Sequence, residues 1–472
     1  MRCRDARVRV RHQGTSQTGV HAAVGRSAGC PTGGVAGAGC AWASTRAAAH
    51  CTAGDARIVS SFALIDGELC AERVPLSAIA AEFGTPCYVY SRAAIEQNYR
   101  EYDTALAAVP HLVCYALKAN SNLAVLDLLA RLGSGFDIVS GGELARVIAA
   151  GGDARKTVFS GVGKTVPEME AALDAGILCF NVESEGELEA LDATAGRMGR
   201  RAPVSFRVNP DVDPRTHPYI STGLRESKFG VPFGDAPTLY RRAARLPHIA
   251  IRGIDIHIGS QITTLAPYRE AIVKVIDLVD RLAAEGITLA HIDLGGGLGI
   301  RYRDEATIEL ADYAAMIAPL FSGRHEQLLV EPGRRLVGAA GILLTRVIHL
   351  KPGPQRSFAI VDAAMNDLIR PALYDAWHPV DPVRPRHSPS REWQIVGPIC
   401  ESGDFLAHDR LLSLQPGDLL AVGAAGAYSF VMSSNYNTRP RACEVLVDGD
   451  RAHAVRMRES ATMLFAGESL LP

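Results

Sequence analysis

From residue 112 to 331 the chain repeats one pattern: a short unbroken apolar run, a turn, then a stretch with apolar positions three and four apart. The apolar runs lie at 112–117, 135–139, 157–160, 178–182, 203–208, 253–258, 290–294 and 327–331. Between them, 141–151, 167–175, 184–197, 235–245, 267–285 and 309–321 carry the helical period. A run without polar alternation suits a strand covered on both faces, and the amphipathic segments supply the covers. Eight such strands alternating with helices predict a (β/α)8 barrel of the TIM type, every strand parallel. A doubly wound sheet is the alternative. The count of eight and the polar residues that end the runs favour the barrel.

After Gly333 the texture changes. Strand-like runs at 337–350, 357–361, 393–396, 418–422 and 443–447 are separated by Gly/Pro-rich turns. They predict a mainly β domain, a sandwich or Greek-key barrel, over 336–472. Residues 89–335 are expected to form the barrel, and short strands within 58–88 to pair with the β domain. Pro-rich 379–389 is expected to be an exposed loop. Residues 1–57 hold eight arginines against two acids, Asp5 and Asp55, a balance of +6. Arg-rich, acid-poor composition permits an organellar transit peptide; the simpler expectation is a disordered extension or residues upstream of the true start.

Composition narrows the class. A net charge of −2 gives no electrostatic reason to expect nucleic acid, and charged residues interrupt every apolar run well short of a membrane span. None of the ten cysteines forms a Cys-x-x-Cys pair, so neither a zinc site nor a compact disulfide framework is predicted. Several lie in apolar runs and read as buried thiols of a reducing cytoplasm.

A barrel enzyme carries its chemistry at the C-terminal ends of its strands. The first run ends in Lys118, and the second contains Asp137 and leads into Ser140-Gly141-Gly142-Glu143. The sixth ends in His257-Ile258-Gly259-Ser260-Gln261, the seventh in Gly295-Gly296-Gly297-Leu298-Gly299, the eighth in Glu331-Pro332-Gly333-Arg334. Burial at a strand mouth is expected to depress the Lys118 pKa and free the amine to attack a carbonyl. Alone, the glycine run is often a plain turn and the histidine a structural one. Together they describe an amine, a phosphate cradle completed by Ser260 and Arg334, a ring to stack and a carboxylate for a ring N–H⁺. That is a pocket for pyridoxal 5′-phosphate (PLP).

Tyr115-Ala116-Leu117-Lys118-Ala119-Asn120, His257 to Gln261, Gly295 to Gly297 and Glu331 to Arg334 resemble the fold-type III PLP decarboxylases, which share their barrel with alanine racemase. The resemblance spans roughly residues 60–465. It implies Lys118 as the covalent anchor, His257 stacked on the ring, and Glu331 at the pyridine nitrogen. Asp137, Ser260, Gly295, Gly296, Gly297, Pro332, Gly333, Arg334 and Tyr428 would complete the cofactor site; no metal is implied.

Met365 to Tyr374, Gly397 to Asp404, Gly426-Ala427-Tyr428 and Asn435 to Pro440 are similar to the diaminopimelate-decarboxylating branch of that family. By that resemblance Arg334, Arg370 and Tyr374 bind a substrate carboxylate, Glu401 the distal ammonium and Cys400 protonates the carbon that loses CO2. Tyr428 would touch both cofactor and substrate. The implied substrate is meso-2,6-diaminopimelate, and the product L-lysine, at the last step of lysine biosynthesis. The residue types suit that molecule, whose far end is a second amino-acid head needing both a cation and an anion. An ornithine enzyme has no use for a distal arginine. The alternatives are a decarboxylase of ornithine, arginine or carboxynorspermidine, a racemase, or a non-catalytic PLP-binding relative. The resemblance also implies a homodimer with Cys400 and Glu401 serving the partner's site, and the cysteine usage places it in the cytoplasm.

Overall fold

The computed structural model describes residues 61–213 and 228–471, so the N-terminal extension lies outside the described residues. Eight parallel strands close on themselves: His111–Ala116, Gly135–Ile138, Thr157–Phe159, Cys179–Val182, Ala202–Asn209, Ile249–Asp255, His291–Asp293 and Gln327–Val330. Closure is carried by the pairing of the eighth strand with the first, Leu328 opposite His111, and of the fourth with the fifth, Phe180 opposite Val204. The expected (β/α)8 barrel is therefore present. The strands are short and nearly all their residues are buried, which is why they read as unbroken apolar runs. Phe136, Phe159, Phe180 and Phe206 are completely buried, each contributing about 1.5–3 kcal/mol. Two helix starts are capped alike: the Ser140 and Ser184 hydroxyls each accept an N–H three residues on, from Glu143 and Glu187.

The second layer is a mixed nine-stranded sheet. Its hub is the strand Gly341–Lys351. The first half of that strand pairs with Cys87–Ser91 on one side and Leu419–Val422 on the other, and the second half with Phe358–Val361. Cys443–Asp448 runs parallel to Cys87–Ser91, so a strand that precedes the barrel lies inside a sheet otherwise built after it. Residues 62–75 form a separate three-stranded meander, tied on by backbone N–H groups of Leu69 to the Val383 carbonyl (2.7 Å) and Arg73 to that of Gly449 (3.1 Å).

Two local expectations change. Residues 334–337 continue the Pro332-Gly333 turn as a short helix, Arg334–Val337, before the hub strand starts at Gly341. Pro-rich 379–389 is only partly loop: Val380–Pro382 pairs with Leu419–Val422, and Val380 and Val383 are buried. Among the described residues no helix is long and apolar enough to cross a membrane.

Candidate active site

Lys118 sits in the 3-10 turn Leu117–Ala119, directly beyond the first barrel strand. The turn is fixed from three sides. Tyr115 donates its hydroxyl to the Asn120 carbonyl (2.8 Å), Ala116 N–H bonds the Pro332 carbonyl (3.3 Å), and Tyr428 N–H bonds the Ala119 carbonyl (2.8 Å). The Lys118 amine donates to the Asp137 carboxylate of the second strand, which is completely buried.

The sequence-based expectation of a depressed amine is overturned. Burial does push Lys118 down, but the neighbouring carboxylates of Asp137 and Glu331, with the hydrogen bond to Asp137, outweigh it and hold the ammonium well above the ordinary lysine range. The carboxylates responsible come from other strands, so no reading of the lysine's own neighbours exposes them. In this state Lys118 is a stored cation that must give up a proton before it can act as a nucleophile.

Behind it lies a knot of acids. One carboxylate oxygen from each of Asp255, Asp293 and Glu331, all buried, lie within 4.8 Å of one another. Burial raises all three, with repulsion from the nearby Asp137 carboxylate added in each case, and lifts Asp293 to about 7. Glu331 Oε1 is buried without a hydrogen-bond partner, the setting for a carboxylate that awaits a donor from a bound group.

His257 accepts the Gly296 N–H on Nδ1 (3.2 Å). Burial, with Arg207 and Lys118 nearby, keeps the ring neutral. The glycine turn is dictated by close stacking of strand-end loops: a Cβ on Gly296 would lie 2.2 Å from the Glu331 carbonyl oxygen, and one on Gly297 2.3 Å from that of Gly259. Gly295 and Gly297 also hold positive φ, 64° and 104°. Gly333 packs against the Lys118 turn, where a Cβ would meet that of Ala119 at 2.9 Å.

A cavity of about 380 Å³ opens over these groups, lined among others by Lys118, His257, Ser260, Arg334, Arg370, Tyr374 and Tyr428. Arg334 donates Nη2 to Ser260 Oγ (2.9 Å) and lies 4.8 Å over the Tyr428 ring. Arg370 heads the short helix Arg370–Tyr374 and donates Nη1 to His378 Nε2 (2.7 Å). Both arginines are buried, yet among the described residues neither has a carboxylate within ion-pair distance. Cys400 and Glu401 stand apart. Both are exposed, Cys400 N–H bonds Asn437 Oδ1 (2.8 Å), and neither lines the cavity of its own chain. Tyr302 and His378, which the sequence reading passed over, also touch the arginines. Tyr302 had a faint signal, three residues past Gly299 on a strand-end loop; His378 had none.

The residues present fit PLP: a lysine at the barrel mouth, a partnerless buried carboxylate oxygen, and a buried guanidinium beside a serine hydroxyl. This architecture defines a class. The family model of the pyridoxal-binding domain of pyridoxal-dependent decarboxylases matches residues 92–338, so the chain is a barrel-type, PLP-dependent decarboxylase. Within the class the similarity runs to one branch. The chain is 61% identical to the diaminopimelate decarboxylase of Pseudomonas aeruginosa over 414 residues, 88% of this chain and all of that one. It is 56% identical to that of Vibrio cholerae over 408 residues, 86% and 98% of the two chains. The crystal structure of the Helicobacter pylori diaminopimelate decarboxylase complexed with L-lysine superimposes with a TM-score of 0.81 at 41% identity, covering 83% of this chain and 99% of that one. The chain belongs to the diaminopimelate decarboxylases, PLP-dependent carboxy-lyases.

Proposed function

We propose that this protein decarboxylates meso-2,6-diaminopimelate to L-lysine and CO2, with Lys118 as the covalent anchor of PLP. The observation that carries the reading is the pair of buried arginines, Arg334 and Arg370, facing the lysine's cavity without a carboxylate of their own. Desolvated cations are stable only when paired, so the cavity is built for an anion.

PLP, when bound, supplies an electron sink for the pair of electrons that CO2 leaves behind. The chain's residues do the rest. Glu331 keeps the ring nitrogen protonated, His257 lies against the ring, and Ser260, Arg334 and the turn Gly295 to Gly297 with Pro332 and Gly333 hold the phosphate end. Asp137 holds the Lys118 amine, and Tyr428 contacts cofactor and substrate. Arg370, Tyr374 and Arg334 take the carboxylate at the unreacting end, and Glu401 its ammonium. Cys400 returns a proton to the reacting carbon.

We further propose a cytoplasmic homodimer in which Cys400 and Glu401 act on the partner's cofactor. Their exposure and their absence from the cavity of their own chain support this reading. The test is CO2 release from meso- and LL-diaminopimelate, ornithine and arginine, with lysine scored as product. Turnover of the meso isomer is expected to exceed that of ornithine or arginine by about a thousandfold, the worth of a paired buried carboxylate. Turnover of ornithine or arginine without turnover of the meso isomer overturns it.

A further inference from the structure

The two arginines are held by neutral groups, and two of those groups have no part in the chemistry above. Tyr302, 8% exposed, accepts a hydrogen bond from Arg334 Nη1 (2.5 Å), while its ring lies 4.8 Å from the guanidinium carbon of Arg370. His378, completely buried, packs edge-on against the Tyr302 ring with centroids 5.4 Å apart. The Gly423 carbonyl, 2.8 Å from His378 Nδ1, can only accept, so Nδ1 carries the proton and Nε2 offers its lone pair to Arg370 Nη1 at 2.7 Å. Four residues from three separate segments thus form one chain: Arg334, Tyr302, Arg370, His378.

The chemistry of this chain is specific. Two guanidiniums sharing one tyrosine repel each other. An aromatic face and a neutral imidazole offset that repulsion without delivering a full negative charge. A carboxylate in either place would form a permanent ion pair and leave nothing for a substrate to displace at a profit. Neutral holders keep both forks aimed and unquenched.

We propose that Tyr302 and His378 are positioning residues that fix Arg334 and Arg370 as a single clamp for the carboxylate at the unreacting end of the substrate. They thereby set the preference for amino acids that carry a second carboxylate. This rests on the proposed decarboxylation of meso-diaminopimelate and adds to it the cause of the selectivity.

The experiment uses the PLP-loaded enzyme and the variants Tyr302→Phe, His378→Leu and His378→Gln, with two inhibitors. L-Lysine retains the carboxylate of the unreacting end; cadaverine, 1,5-diaminopentane, has none. Tyr302→Phe keeps the ring and loses only the acceptor, so it folds as the parent does, with unchanged melting temperature and bound-cofactor absorbance as controls. Tyr302→Phe and His378→Leu should each raise KM for meso-diaminopimelate about tenfold, the worth of one hydrogen bond to a charged group, with kcat moving far less. The inhibition constant of L-lysine should rise by the same factor while that of cadaverine stays put, and His378→Gln, which retains a donor and an acceptor, should recover most of the loss. Equal weakening of both inhibitors, no weakening of L-lysine, or a fall in kcat at constant KM overturns the clamp. Parent-enzyme turnover of meso-diaminopimelate tests the proposed function separately: turnover with variant-to-parent ratios of one sinks the clamp alone.

Discussion

Replacing Arg370 by methionine should leave stability nearly unchanged while activity collapses. Arg370 is 7% exposed, and burial, together with the nearby Arg334, pulls its pKa below the usual arginine range. In the substrate-free protein the substitution removes one hydrogen bond to neutral His378, worth about 1.5–3 kcal/mol, and a stack on Tyr302 worth about 0.5–2 kcal/mol. It also removes the desolvation penalty of a buried, uncompensated cation, several kcal/mol, while methionine fills most of the volume. The terms nearly cancel, so unfolding free energy should change by no more than about 1 kcal/mol. With substrate present the balance is different. The far carboxylate then enters a buried site lacking a main partner, which costs about 3–5 kcal/mol and lowers kcat/KM by about 10²–10⁴-fold. Denaturant unfolding of the substrate-free enzyme, paired with steady-state turnover of meso-diaminopimelate, reads both quantities. A loss of stability above about 3 kcal/mol would make Arg370 a structural strut, and an unchanged kcat/KM would remove it from the substrate site; either result refutes the argument.

Mixing inactive Lys118→Ala with inactive Cys400→Ala under subunit exchange should restore part of the activity, because one site of each heterodimer would be intact; no recovery counts against action across the interface. Two buried histidines should make the fold acid-sensitive. His378 is held down to about 3 by burial and Arg370, and His291 to about 4 by burial and Arg252. Below about pH 6.5 the unfolded chain binds a proton at each that the native state refuses, so stability should fall as pH drops from there toward 4, by about 1.4 kcal/mol per unit for each proton. His378→Gln should reduce that slope by one proton's worth in pH-dependent unfolding, and an unchanged slope would mean His378 is already charged in the native state. Gly296→Ala forces a Cβ to within 2.2 Å of the Glu331 carbonyl oxygen; a stability loss of about 1–3 kcal/mol with weakened PLP retention is expected in calorimetry and cofactor titration, and a neutral result would show the turn to be looser than its packing implies.

The barrel was legible because parallel strands covered on both faces leave unbroken apolar runs, and each of the eight runs overlaps its strand. The β sheet was less so. Phe405–Leu412 buries only the adjacent Leu406 and Ala407 and carries His408, Asp409 and Arg410 at its centre, and Cys87–Ser91 pairs with residues more than 350 positions away, which no local pattern encodes. The site divides the same way. Lys118, His257, the glycine turn and Glu331 stand at strand ends, where position alone marks them. The sign of the Lys118 shift escaped because it depends on Asp137 and Glu331, which the fold and not the sequence brings beside it. His378 escaped because a single histidine in a connecting segment looks like any other until Arg370 is seen against it.

The placement of Cys87–Ser91 bears on the order in which the molecule can be made. This strand leaves the ribosome before any barrel strand, yet its two sheet neighbours, Gly341–Lys351 and Cys443–Asp448, are synthesised after the whole barrel. Its backbone donors and acceptors must wait for them, exposed or provisionally paired, through the synthesis of several hundred residues. The barrel can close on its own nascent segments, but Tyr428, whose N–H braces the lysine turn, is made after every barrel strand. Catalytic competence is therefore withheld until the segments that follow the barrel have been made, and a ribosome stalled just after the barrel would present a closed barrel with an unbraced lysine and an unpaired strand edge.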